Sequence, residues 1–223
     1  MSKELTEKQA KDLAVPEQQW EMDERDVKDI KFPRAKLFQG TTSEQDKFPD
    51  AKTGTVINDL TGELLPDTFV PFMKFRQYAK FNTRNREDPN FDKAYEPSAL
   101  IWFTTDPNDP RVAETKWGPN SERPTAVEFL NFMAVFEGYE YPVSISFSKT
   151  SMTAGKKLLS MLMFSKDKFK KYKLSTNKQV KDGNTFYIYD VNPAGVASEE
   201  EIERANKFKD QMAVKDVTAE FTD

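Results

Sequence analysis

The chain of 223 residues has no cysteine and no histidine. Disulfides, thiol nucleophiles, Cys/His zinc sites and imidazole acid–base chemistry are therefore excluded. So are Ser–His–Asp triads. Glycine is scarce, with 8 residues, and no apolar run approaches the roughly 18 residues of a membrane-spanning helix. The opening MSKELTEKQAKDL lacks the apolar core of a secretory signal. These absences lead to the expectation of a cytoplasmic protein that is not an enzyme and carries no metal or cofactor.

Aromatic rings and lysines are plentiful: 18 Phe, 7 Tyr and 3 Trp, with 33 Lys and Arg against 37 Asp and Glu. The charges are unevenly placed. Residues 1–31 hold six bases and nine acids, and residues 198–223 hold four bases and eight acids. The middle of the chain is thus basic between two acidic ends, a pattern that fits a protein handling a polyanion. Eight lysines and one acid, Asp167, fall between Lys149 and Lys173.

Along the chain, residues 1–31 read as a flexible acidic arm. Strand signals follow at 34–38, 54–59, 69–82 and 98–105, with a hairpin-like turn at Thr61–Gly62. TAVEFLNFMAVFEG (125–138) reads as a strand, because β-branched and aromatic residues dominate, and VSISFS as its return leg. TSMTAGKKLLSMLMF (150–164) reads as a helix, and residues 169–180 and 185–196 as a hairpin about KDGN. Ser198 followed by Glu201 is a capping box opening a last helix over about 199–213.

This order predicts a mainly β fold with a few helices: an OB-like five-stranded Greek-key barrel with an internal helix and a C-terminal helix. Residues 84–124 would be a long insertion. The predicted organisation is an arm (1–31), a nucleic-acid-binding domain (32–197), the helix (198–213) and an acidic tail (214–223).

Two segments combine cations with rings. In KFRQYAKFNTRNR, alternation places Lys74, Arg76, Tyr78 and Lys80 on one strand face, with Arg84 and Arg86 beyond. In KDKFKKYKLS, Lys168, Lys170, Tyr172 and Leu174 share a face. Lys149, Lys156 and Lys157 flank the start of the internal helix. Single-stranded nucleic acid requires both ingredients, cations along the phosphates and flat faces for unstacked bases. An edge strand armed with lysine against aggregation has the same composition. TAGKK departs from a P-loop at both ends, so Gly155 reads as a close-packing residue. Asp50, Glu114 and Lys116 have the types of a metal-dependent nuclease site, but acid-rich loops produce such matches by chance. Trp102 and Trp117 read as core or loop anchors.

FPRAKLFQGTTSE, AKTGTVINDLTGELL, PVSISFSKTSMTAGKKLLSML and YKLSTNKQVKDGNTFYIYDVNPAGVASEEE together resemble a group of bacteriophage single-stranded-DNA-binding proteins with an OB-like fold. The resemblance spans about residues 32–203. It implies sequence-independent binding of exposed DNA during replication or recombination. It also implies an acidic, aromatic-bearing tail that docks partner proteins, here with Asp216, Glu220, Phe221 and Asp223. The alternatives are a phage structural or assembly protein and an inhibitor of a host protein.

Overall fold

The computed structural model describes residues 32–165, 169–181 and 183–213. The predicted arm, Lys168 and the predicted tail with Asp216, Glu220, Phe221 and Asp223 lie outside the described residues. Eight strands form one mixed sheet: β1 (Arg34–Leu37), β2 (Val56–Asn58), β3 (Thr68–Phe81), β4 (Leu100–Thr104), β5 (Val127–Phe136), β6 (Pro142–Ser148), β7 (Lys170–Lys181) and β8 (Asn184–Val196). Among the described residues three α-helices accompany it: α1 (Thr42–Lys47), α2 (Met152–Phe164) and α3 (Glu199–Ala213).

The sheet order is β2-β1-β6-β5-β3-β7-β8, with β4 added to β3. Every pairing is antiparallel except β1 with β6. β3 is long enough to pair with β5 along one edge and to share the other edge between β7 at Thr68–Phe69 and β4 at Tyr78–Phe81.

The expected OB-like five-stranded barrel is not what forms. The sheet has eight strands and stays open, because β1 occupies the place beside β6 and its other edge pairs with β2. The turn at Thr61–Gly62 also differs from expectation. It folds β2 back on the next few residues (Asn58 N–H to Glu63 O, 2.8 Å; Leu65 N–H to Val56 O, 2.9 Å) and does not pair β2 with β3.

β5 lies in the middle and is buried on both faces, which explains its continuous apolar run. Leu130, Phe132, Ala134 and Phe136 join Val143, Ile145, Phe147 and Leu158 in a core beneath α2. Met133 and Val135 join Val70, Phe72, Phe75, Ala205 and Met212 in a second core beneath α3. Gly155 lets α2 approach β6: a Cβ there would stand 2.7 Å from the Cβ of Phe147. α3 opens on the expected capping box. Ser198 N–H donates to the Glu201 carboxylate at 2.8 Å, and Glu201 N–H donates to Ser198 Oγ at 3.2 Å.

The β7–β8 hairpin reaches the β1–β2 side through side chains. The Gln39 amide donates to Tyr187 O and accepts from Tyr187 N–H, both at 2.9 Å. Tyr189 OH donates to Ala35 O at 2.8 Å, and Thr176 Oγ1 donates to Gly54 O at 2.5 Å. The Gln39 amide thus completes two backbone hydrogen bonds that a neighbouring strand would otherwise make.

Candidate nucleic-acid interface

The predicted cations divide into two kinds. Several are tied to acids. Arg76 pairs with Glu128, Lys80 with Glu114 at 2.8 Å, Arg86 with Glu96 at 2.9 Å and Lys157 with Asp190 at 2.9 Å. Exposed ion pairs of this kind add little stability, but each lowers the local positive field. The alternation expected in β3 holds: Lys74 and Arg76 stand opposite Phe132 and Leu130, and Tyr78 opposite Glu128. Lys74 is exposed. Lys170 is half-buried at the start of β7, opposite Val196.

Arg84, Lys149 and Lys156 belong to the other kind. They line a single cleft with a cavity volume of about 1130 Å³. Its walls come from the C-terminal end of β3, the loop before β5, the start of α2 and the tip of the β7–β8 hairpin. Arg123 and Lys181 complete a set of five cations there. Among the described residues, none of the five has a carboxylate within ion-pair distance. The one acid on the wall, Glu128, is held by Arg76. Field lines of like charge are concentrated in a low-dielectric cleft, which draws anions to it.

The rings also divide, against expectation. Tyr78 is 6% exposed and Tyr172 1% exposed, so neither is available to stack on a base. Tyr172 packs against Phe69 (ring centroids 6.0 Å apart) within the α2-side core. Burial raises the pKa of both tyrosines, and the Glu128 carboxylate adds to the effect at Tyr78. Alternation assigns side chains to two faces but does not say which face meets the core. The rings of the cleft are Trp117, 66% exposed, and Phe81, 38% exposed. Trp117 is therefore not the packing anchor its sequence context implied. Phe81 is braced edge-on by Phe129 at 6.5 Å.

Four members of the cleft, Phe81, Trp117, Arg123 and Lys181, were not among the site residues expected from the sequence. KWGPNSER contains the signal in retrospect: a tryptophan among polar turn residues with cations at both ends. The strand-spanning hairpin hides Lys181, which comes near Lys149 and Lys156 only through the fold.

The loop carrying Trp117 and Arg123 is held at its base. Glu114 accepts from Lys80 Nζ at 2.8 Å and from Thr125 Oγ1 at 3.0 Å, and its backbone oxygen accepts from the N–H groups of Thr125 and Ala126. Burial alone would raise the Glu114 pKa; the bonds from Lys80 and Thr125 together outweigh it and hold the carboxyl below its ordinary range. Glu114 is thus engaged as a structural anion. Among the described residues, no three acids gather closely enough to hold a metal ion. Nor is any described helix long and apolar enough to cross a membrane.

Fold and site together define a mainly β protein whose mixed sheet supports a basic cleft bearing exposed rings. The chain belongs to the Pam3 phage gp34-like protein family, whose model matches residues 8–218, and is thereby a phage protein. No curated protein and no solved structure matches it.

Proposed function

We propose that this phage protein binds single-stranded DNA, without strong sequence preference, in the cleft between β3, α2 and the β7–β8 hairpin. The observation that carries the reading is the convergence, on one surface, of two exposed rings and five cations that have no acidic partner among the described residues. Cations follow the phosphates, and rings accept bases that no complementary strand occupies. The order of elements supports it. An antiparallel meander (β3, β5, β6), a helix and a hairpin follow one another as in an OB-type barrel, with β1 beside β6 where such a barrel would pair its last strand. On this reading the protein is a non-catalytic coat for DNA exposed in the host cytoplasm during replication or recombination, and its acidic tail docks other proteins of those processes.

The test is a titration of labelled oligo-dT and of duplex DNA at several salt concentrations. Single strands should bind more tightly. The slope of log K against log salt should be about −0.7 for each phosphate engaged. Lys149→Glu combined with Lys156→Glu should abolish most of the affinity, since both side chains are exposed and neither makes an ion pair among the described residues, so the fold should tolerate the change. A slope near zero, or equal affinity for duplex, defeats the proposal. Large regular assemblies formed without nucleic acid would instead support an assembly role.

A further inference from the structure

The cleft contains one ring that is both largely exposed and carried on a fixed support. Trp117 follows the short 3-10 helix Pro110–Thr115 and precedes a tight turn, in which Gly118 N–H donates to Glu122 O at 3.0 Å and Ser121 N–H donates to Gly118 O at 3.1 Å. Glu114, at the foot of this loop, is tied to β3 through Lys80 and to the start of β5 through Thr125. A tryptophan left exposed at the end of such a braced segment has no packing role that explains it. Stacking a ring on a base costs little when the ring is already oriented.

We infer that Trp117 is the base-stacking platform of the cleft and that Glu114 is its positioning residue. The inference rests on the nucleic-acid reading above. It also names the feature of the ligand that is recognised, the exposed face of an unpaired base, and places that recognition on the loop between β4 and β5 instead of on the strands. Phosphate contacts and base stacking then reside on different walls. They should separate experimentally, because counterion release depends on phosphates and stacking does not.

The experiment compares full-length protein binding to oligo-dT and to an abasic oligonucleotide of equal length, across a range of salt. Wild type should prefer oligo-dT. In Trp117→Ala the affinity for oligo-dT should fall roughly 5- to 100-fold at unchanged salt slope, with little change for the abasic strand. Trp117→Phe should restore much of the preference. Glu114→Ala removes an acid from beside the cleft, so it should tighten abasic binding slightly while weakening oligo-dT binding; Glu114→Gln should recover part of the oligo-dT affinity. A merely structural role for Glu114 would not move the two probes in opposite directions. If wild type binds both probes equally, or if Trp117→Ala keeps its preference for bases, the inference is overturned while binding to phosphates stands. If wild type binds neither probe, both are overturned.

Discussion

Side chains of the same chemical type end in different roles here because of what lies opposite them. Tyr172 shows this most clearly. Its ring is fully within the α2-side core, yet its hydroxyl has no hydrogen-bond partner among the described residues. A buried unpaired hydroxyl is costly, on the order of 1–3 kcal/mol. Tyr172→Phe should therefore leave stability unchanged or raise it, whereas Tyr172→Ala should lose about 3–5 kcal/mol by analogy with other buried aromatics. Denaturant midpoints measure both; under the proposed function, DNA affinity in the Phe variant should equal that of wild type. Gly155 is the other residue where a single atom decides. An added methyl group would meet Phe147 at a distance no ordinary contact reaches. Gly155→Ala should destabilise the protein by about 1–3 kcal/mol, despite the better intrinsic helix propensity of alanine. A more stable variant in thermal unfolding would show that α2 can shift away from β6 at no cost.

At the scale of elements, α3 is attached by apolar packing, by the Arg204 guanidinium donating to Tyr139 O, and by an ion pair with Lys171. Lys171 Nζ stands 2.8 Å from Glu201 and 3.5 Å from Glu137. The Lys171 pKa is raised, first by its hydrogen bond to Glu201. At Glu201 burial pulls upward most strongly, but the bonds from Lys171 and Ser198 together outweigh it and the pKa is lowered. The signs then follow. A carboxyl with a depressed folded pKa stabilises above its ordinary 4.5 and loses that contribution as pH falls through the folded value. An amine with a raised folded pKa stabilises below its ordinary 10.5 and loses that contribution as pH rises through the folded value. Attachment of α3 should be strongest between those limits. Amide exchange in 199–213, compared with exchange in β5 at the same pH, should show α3 loosening first in acid. Glu201→Gln should flatten that dependence. Exchange that loosens uniformly across both elements would show that the Lys171–Glu201 contact does not govern the helix. α1 is an element the sequence contained but that its reading passed over. Thr41 and Glu44 have capping-box spacing, and the Glu44 carboxylate accepts from Gln39 N–H at 3.1 Å.

For the molecule as a whole, the decisive feature is how the two ends of the sheet meet. The β7–β8 hairpin reaches the β1–β2 side through Gln39, Tyr189 and Thr176 and not through a strand ladder. That seam steadies the hairpin whose tip brings Lys181 to the cleft. Gln39→Ala should cost about 1–3 kcal/mol, since the Tyr187 backbone groups lose both partners. It should also raise amide exchange in β8, with unchanged exchange in β5, and under the proposed function weaken DNA binding modestly. An unaltered hairpin in Gln39→Ala would show that the seam does not hold it.

Much of this architecture was legible without coordinates. The strands from 34 to 148, the α2 segment, the closing hairpin and α3 all follow from local rules: alternation of apolar residues, turn residues at KDGN, and the Ser198–Glu201 cap. Such signals act within a few residues, so a single sequence carries them. The concentration of lysine around α2 was equally plain, and Lys149 and Lys156 do reach the cleft, with Arg84. Tertiary structure decided the rest. A period of two assigns side chains to two faces but does not say which is buried, and so Tyr78 and Tyr172 went to the interior. Counts of charge do not reveal partners, and so Arg76, Lys80, Arg86 and Lys157 are neutralised by acids that lie 10 to 52 residues away in the chain. Parallel pairing of β1 with β6 joins segments too distant in sequence for any local pattern to announce, and it leaves the sheet open. Trp117 and Lys181 became neighbours of one cleft for the same reason: contact across the fold depends on which surfaces pack, and packing is settled by the whole chain at once.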